Sequence, residues 1–134
     1  MNMMRSIQTI SSQEVAGILQ AIDQPARLEI LQVIGSSEAC VCHLEAALGQ
    51  RQAYISQHLM ALREAGIITS RRAGRYVYYR LKDARVLDLI GLAGSLAGAS
   101  PAAPLIPNPV QDCPCPHCTS TGRKDLKIET VVLP

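Results

Sequence analysis

Residues 38–81, EACVCHLEAALGQRQAYISQHLMALREAGIITSRRAGRYVYYRL, are the stretch whose reading decides the fold. Val41, Leu44, Ala47 and Leu48 recur at helical spacing and predict a short helix from Glu38 to Leu48, with Gly49 supplying the turn after it. A second helix is expected from Gln52 to Ala65, burying Ile55, Leu59 and Leu62 and stopped by Gly66. Two helices joined at a glycine-containing turn make a helix-turn-helix pattern. Two β-prone runs follow, Ile67 to Arg72 and Arg75 to Leu81, on either side of Ala73 and Gly74. They predict a hairpin, or wing, with Arg71, Arg72 and Arg75 at its tip. Along its second strand Val77 and Tyr79 alternate with Tyr76, Tyr78 and Arg80, so one face can pack while the other meets solvent or a partner.

Outward toward the N-terminus, Ser11 and Ser12 give a capping signal for a helix carrying Val15, Ile18, Leu19 and Ile22, closed by Asp23. Pro25 suits the first turn of the next helix, which carries Leu28, Ile30, Leu31, Val33 and Ile34 and ends at Gly35. Residues 1–10 show no strong period and read as an arm. Toward the C-terminus, a last helix from near Asp83 carries Val86, Leu87, Leu89, Ile90, Leu92, Ala93, Leu96 and Ala97, apolar almost all round. Such a helix needs cover on several sides. A second copy of the same helix is the cover at hand, and Gly91, Gly94, Ser95 and Gly98 let two backbones approach, so a homodimer is expected. From residue 100 onward six prolines fall between Pro101 and Pro116, which reads as a stiff, extended tail. The expected fold is mainly α (α+β): one domain over residues 11–99, about five helices with a two-stranded wing, followed by a Pro/Cys-rich tail over 100–134.

The 134 residues carry a net charge of only +2, unevenly spread. Between positions 51 and 82 stand Arg51, Arg63, Arg71, Arg72, Arg75, Arg80 and Lys82 against the single acid Glu64, an electrostatic footprint for phosphate. Phe and Trp are absent, so the core must be built from Leu, Ile, Val, Ala and Met. Five cysteines with no secretory signal argue against a disulfide framework and for a reducing, cytoplasmic setting, where clustered thiols serve as metal ligands or redox sensors. The apolar run of the last helix contains Asp88 and meets Pro101, too short to span a membrane.

Four segments together resemble the ArsR/SmtB family of metal-sensing repressors: DQPARLEIL at 23–31, EACVCHL at 38–44, ISQHLMALREAGI at 55–67 and RRAGRYVYYRL at 71–81. The resemblance spans roughly residues 15–97. It implies a winged helix-turn-helix dimer paired through its first and last helices, with the helix from Gln52 in the major groove of operator DNA. Gln52, Tyr54, Ser56 and Gln57 then lie in the half of that helix that reaches base edges, and either glutamine can pair bidentately with adenine. Arg63, Arg71, Arg72 and Arg75 would hold the phosphate backbone. His58 stands where the family often has His, and its spacing after Ile55 points it partly inward, which suggests a structural role.

Cys40 and Cys42 stand where the family's arsenic, cadmium and lead sensors carry thiolate ligands. On a regular helix residues two apart diverge by about 200°, so both thiolates can grip one ion only if the helix start is frayed or distorted. Binding energy spent on that distortion would shift the dimer away from its DNA-competent state. A second cluster packs Cys113, Cys115, Cys118 and His117 into six positions. Thiolate-rich ligation selects soft ions. Two helix thiolates plus one tail thiolate suit As(III) or Sb(III), plus two suit tetrahedral Cd(II) or Zn(II), and Pb(II) accepts either set; His43 and His117 are not expected among the ligands. Two other readings stay open. The tail can carry a structural zinc of its own, or the effector can be an oxidant or reactive sulfur species that joins Cys40 or Cys42 to a tail thiol, although the neighbour Glu38 is not the basic residue that lowers a thiol pKa. A thiol oxidoreductase is disfavoured, because no βαβ pattern, phosphate loop or activated nucleophile accompanies the cysteines; the chain is not expected to be an enzyme.

Overall fold

The computed structural model describes residues 11–99. The expected arm over 1–10 and the tail with Cys113, Cys115, His117 and Cys118 lie outside the described residues. The described chain runs α1 (Ser12–Ile22), α2 (Pro25–Ile34), β1 (Glu38–Cys40), α3 (Val41–Leu48), α4 (Gln52–Glu64), β2 (Ile68–Ala73), β3 (Tyr76–Leu81) and α5 (Arg85–Leu96). The strands form one antiparallel sheet in the order β1-β3-β2.

Local chemistry accounts for most boundaries. Ser11 sits in extended backbone at the start of α1 and accepts the Glu14 N–H at 3.4 Å, satisfying a donor the helix cannot satisfy itself. Pro25 occupies the first turn of α2, where its missing N–H costs nothing. Gly49, at φ 64°, ends α3 in a left-handed cap that few other residues adopt, and so sets the turn into α4. At the head of α5 the Asp83 carboxylate accepts the Arg85 N–H at 2.9 Å and pairs with its guanidinium; hydrogen bonding to Arg85 holds that carboxyl down at about 2.

The core is aliphatic. Ile30, Leu31 and Ile34 of α2 meet Leu44 of α3, Ile55, Leu59 and Leu62 of α4, and Ile67, Ile68 and Ala39 from the sheet side. These positions are 0–5% exposed, so the apolar face of α4 fixes that helix against α2 and α3 while its opposite face stays in solvent. No residue of α5 is fully buried. Its Val86, Leu89 and Ile90 pack on the core, while Leu92 and Leu96 are 63% and 83% exposed. Val15, Ile18 and Leu19 of α1 are likewise exposed.

The structure departs from expectation at one decisive place. Glu38–Cys40 is not the first turn of a helix but a third strand, pairing with β3 in the register Glu38↔Arg80, Ala39↔Tyr79 and Cys40↔Tyr78. The free edge of β3 offers backbone partners that a helix beginning at Glu38 would forgo. Helical spacing of apolar residues starts only at Val41, and Cys40 caps the helix: its backbone is extended (φ −89°, ψ 169°) and its sulfur accepts the His43 N–H at 3.4 Å. A smaller shift occurs at the wing tip. The strands close on the pair Ala73↔Tyr76, leaving Gly74 and Arg75 as the loop. Gly74 at φ 63° provides the positive φ that two-residue hairpin loops require.

This capping role separates two replacements of similar size. Serine at position 40 retains an acceptor for the His43 N–H, whereas valine has none and is expected to cost about 1 kcal/mol. Urea unfolding of Cys40→Ser and Cys40→Val checks this; a valine variant as stable as the serine one would mean that the cap contributes nothing.

Candidate nucleic-acid interface and thiol site

On α4 the outward residues include Gln52, Tyr54, Gln57 and Arg63, with Ser56 half-buried between them. Inward, Ile55, Leu59 and Leu62 are buried, so the spacing that fixes the helix also presents the polar residues of its N-terminal half. His58 faces the interior at 9% exposure. Its Nδ1 accepts a hydrogen bond from Arg27 Nε at 3.3 Å, and a second nitrogen of Arg27 donates to the Ala21 carbonyl at 3.1 Å. Arg27 of α2 thus bridges the end of α1 to α4. Tyr54 sets its ring edge-on to the His58 imidazole, centroids 4.7 Å apart. An imidazole that accepts at Nδ1 is neutral there, and burial first, then the Arg27 charge, push the His58 pKa below its ordinary value.

The four wing arginines occupy different situations. Arg72 and Arg80 are exposed on the strands and Arg75 lies in the loop. Arg71 is engaged: Glu38 takes its Nε with both carboxylate oxygens, at 3.1 and 2.9 Å, and a terminal nitrogen as well. The guanidinium also lies 4.8 Å from the centre of the Tyr78 ring. Of the two alternating sets of β3, Tyr78 lies on a face that packs: it is only 4% exposed, because Cys40 and the half-buried Cys42, Ala47 and Tyr76 pack round it.

The two thiols are adjacent. Cys40 Sγ and Cys42 Sγ lie 2.8 Å apart, the first buried and the second half-buried. The expected conflict of helical geometry does not arise, because Cys40 stands outside the helix and its extended backbone turns the side chain toward that of Cys42. No deformation of α3 is needed for both sulfurs to face one ion. Among the described residues no cluster of three or more His, Cys, Asp or Glu could hold a metal. The pair therefore supplies two donors, and a soft ion that takes three or four needs others. His43 is buried at 1% exposure beneath the helix start.

Of the residues named from sequence, the structure brings Cys40 and Cys42 together and displays Gln52, Tyr54, Gln57, Arg63, Arg72 and Arg75 at the surface. It does not bring Arg71 to the surface as a free cation, and Cys113, Cys115 and Cys118 lie outside the described residues. Glu38, Tyr78 and Arg27 were missed as partners. The period-two placement of Glu38 and Cys40 on one strand face is the signal that points to the first two; a helical reading of that segment hides it. Arg27 carried no local signal, since its partners are 31 residues ahead and six behind.

Comparison with known proteins gives a consistent picture. Residues 24–70 match the model of a family described as bacterial regulatory protein, arsR family. The chain is 36% identical over 78 residues to a transcriptional repressor SmtB homolog of Synechocystis, and 51% identical over 61 residues to the arsenic resistance transcriptional regulator ArsR1 of Pseudomonas putida. These matches take in 58% and 46% of this chain, and 59% and 47% of the relatives' lengths, so the chain spans well under two thirds of either. A homodimeric winged helix-turn-helix DNA-binding domain from Mycobacterium bovis superposes with a TM-score of 0.58 at 30% identity, over 64% of this chain and 80% of that one. No helix among the described residues is long and apolar enough to cross a membrane.

The Arg27–His58 contact makes a pH prediction. Because the folded pKa of His58 lies below its unfolded value of 6.5, its contribution to stability is complete above pH 6.5 and is lost as pH falls from there through the folded pKa. Wild type should therefore lose stability on acidification more steeply than His58→Gln, compared as urea midpoints between pH 8 and 5. Parallel curves would show that the contact does not respond to protonation.

Proposed function

The chain belongs to the ArsR family of bacterial regulatory proteins, and on that premise we propose that it is a dimeric transcriptional repressor whose hold on operator DNA is broken by a thiophilic ion. The observation that carries this reading is the 2.8 Å approach of Cys40 and Cys42 at the head of the helix that precedes α4. In one structural unit the thiol pair abuts the helix-turn-helix on one side and the wing sheet on the other.

For DNA, Gln52, Tyr54, Ser56 and Gln57 are the residues for base edges, with Arg63, Arg72 and Arg75 for phosphate. The dimer is assigned to the exposed apolar residues of α1 and α5; the similar Mycobacterium bovis domain, which is homodimeric, supports dimerisation itself. Two α4 helices related by a two-fold axis call for an operator that is an imperfect palindrome. For the effector, Cys40 and Cys42 are joined by one or two of Cys113, Cys115 and Cys118, from the same protomer or its partner. Three thiolates favour As(III) or Sb(III), four favour Cd(II) or Zn(II), and Pb(II) accepts either. An oxidant or reactive sulfur species acting on the same pair is the rival reading, and its support is the same proximity.

The deciding experiment measures operator binding against arsenite, antimonite, Cd(II), Pb(II), Zn(II) and a peroxide, with ultraviolet thiolate absorption read in parallel. Release by an ion with a thiolate band, lost in Cys42→Ser while DNA binding is retained, is the expected result. Truncation after Pro109 should weaken ion affinity without harming DNA binding; release of the truncated protein at wild-type ion concentrations would remove the tail from the site. Release by peroxide alone would favour the redox reading.

The dimer assignment has its own check. Leu92→Asp places a charge on the exposed apolar stripe of α5 and should yield monomers with poor operator affinity. An intact dimer in sedimentation would refute the interface.

A further inference from the structure

We propose that Arg71 is a positioning residue and not a phosphate ligand: with Glu38 and Tyr78 it clamps the wing to the strand that carries Cys40. The register makes the clamp a row across all three strands, since Arg71 of β2 and Cys40 of β1 are both cross-strand partners of Tyr78 in β3. Cross-strand partners project to the same face, and so does Glu38, two residues before Cys40. On that face the Tyr78 ring packs against Cys40 below, and the Arg71 guanidinium lies over it and reaches Glu38.

An exposed ion pair contributes little on average, and the Arg71 side chain is 54% exposed. This pair differs in form, because it is a fork, stacked on a buried ring, with the Glu38 side chain only 20% exposed. Its effect is geometric. Glu38 and Arg71 sit on opposite edge strands of the sheet, so the pair ties the two edges across β3. A phosphate could reach only the guanidinium N–H groups that Glu38 leaves, beside a carboxylate that repels it. Arg72 projects from the other face and Arg75 sits in the loop, so neither faces that conflict.

The clamp also places the thiol pair and the wing in one packed unit. Cys40 caps α3 and packs on Tyr78. Capture of an ion by Cys40 and Cys42 would load the same sulfur that caps α3 and packs on Tyr78, and the row would carry that change to Arg71 and the wing. This last step rests on the function proposed above.

The test uses full-length protein and a duplex selected by the wild type from random sequence, with affinity read against salt. Glu38→Gln frees Arg71 and removes a negative charge. If Arg71 is a phosphate ligand, that variant binds DNA more tightly; if it is a clamp, binding weakens with an unchanged salt slope. In the swap Glu38→Arg with Arg71→Glu, the clamp predicts recovery of most of the roughly tenfold loss expected of Arg71→Glu alone. A swap as weak as the single variant would overturn the proposal. Arg72→Ala provides the contrast, lowering the salt slope by about one. With the ion that releases wild type, Glu38→Gln should show a smaller fold-release; an undiminished one would overturn transmission through the row. If no ion releases wild type, the sensing function fails, and the first two comparisons still decide the clamp.

Discussion

The structure turns on the backbone reversal at Cys40. There the chain passes from extended to helical conformation within one residue, and that residue is at once the last of β1 and the cap of α3. A helix start leaves its first N–H groups without partners, and something must accept them. The Cys40 sulfur takes the His43 N–H, which pins the side chain over the first turn of α3 and brings it to the Cys42 thiol. The same residue holds the strand register, because Cys40 stands opposite Tyr78. Capping, strand pairing and thiol proximity are three consequences of one conformational choice.

From that point two routes lead to α4 and the wing, the elements proposed to meet DNA. Through α3, the aliphatic core carries position to α4: Leu44 packs with Ile55, Leu59 and Leu62, and the left-handed turn at Gly49 fixes how the two helices follow each other. Interiors packed this closely do not deform gradually, so α4 moves with α3 or not at all. Arg27 adds a polar tie, joining the end of α1 to His58 and so linking the helix with the exposed apolar stripe to the one with the exposed glutamines. The second route runs along the sheet from Cys40 through Tyr78 to the wing. A perturbation at the thiol pair therefore meets both α4 and the wing within a single residue's neighbourhood.

Helices α1, α2 and α4, the turn at Gly49 and the hairpin were legible because their signals are local. Apolar spacing, a serine cap, a first-turn proline and a Gly-containing loop each act within a few residues of sequence. The exposed polar residues of α4 followed from the same periodicity, as did the inward direction of His58. Strand β1 was not legible, because three residues are too few for a period of two to show, and the helical pattern beginning at Val41 absorbs them. The engagement of Arg71 was hidden for the same reason, since its partner Glu38 lies 33 residues away and shares a face with it only once β1 pairs with β3.

The sequence by itself determined the helix-turn-helix and its wing, the aliphatic core, the polar face of α4, and the presence of two thiols beside that unit. These follow from periodicity and turn chemistry, which are properties of neighbouring residues. Only the tertiary structure decided that the two thiols meet, that Tyr78 is buried, and that Arg71 belongs to Glu38. Each of those facts depends on which edge strand completes the sheet, and that is settled by long-range backbone pairing, where the free edge of β3 competes with the first turn of α3 for the same three residues.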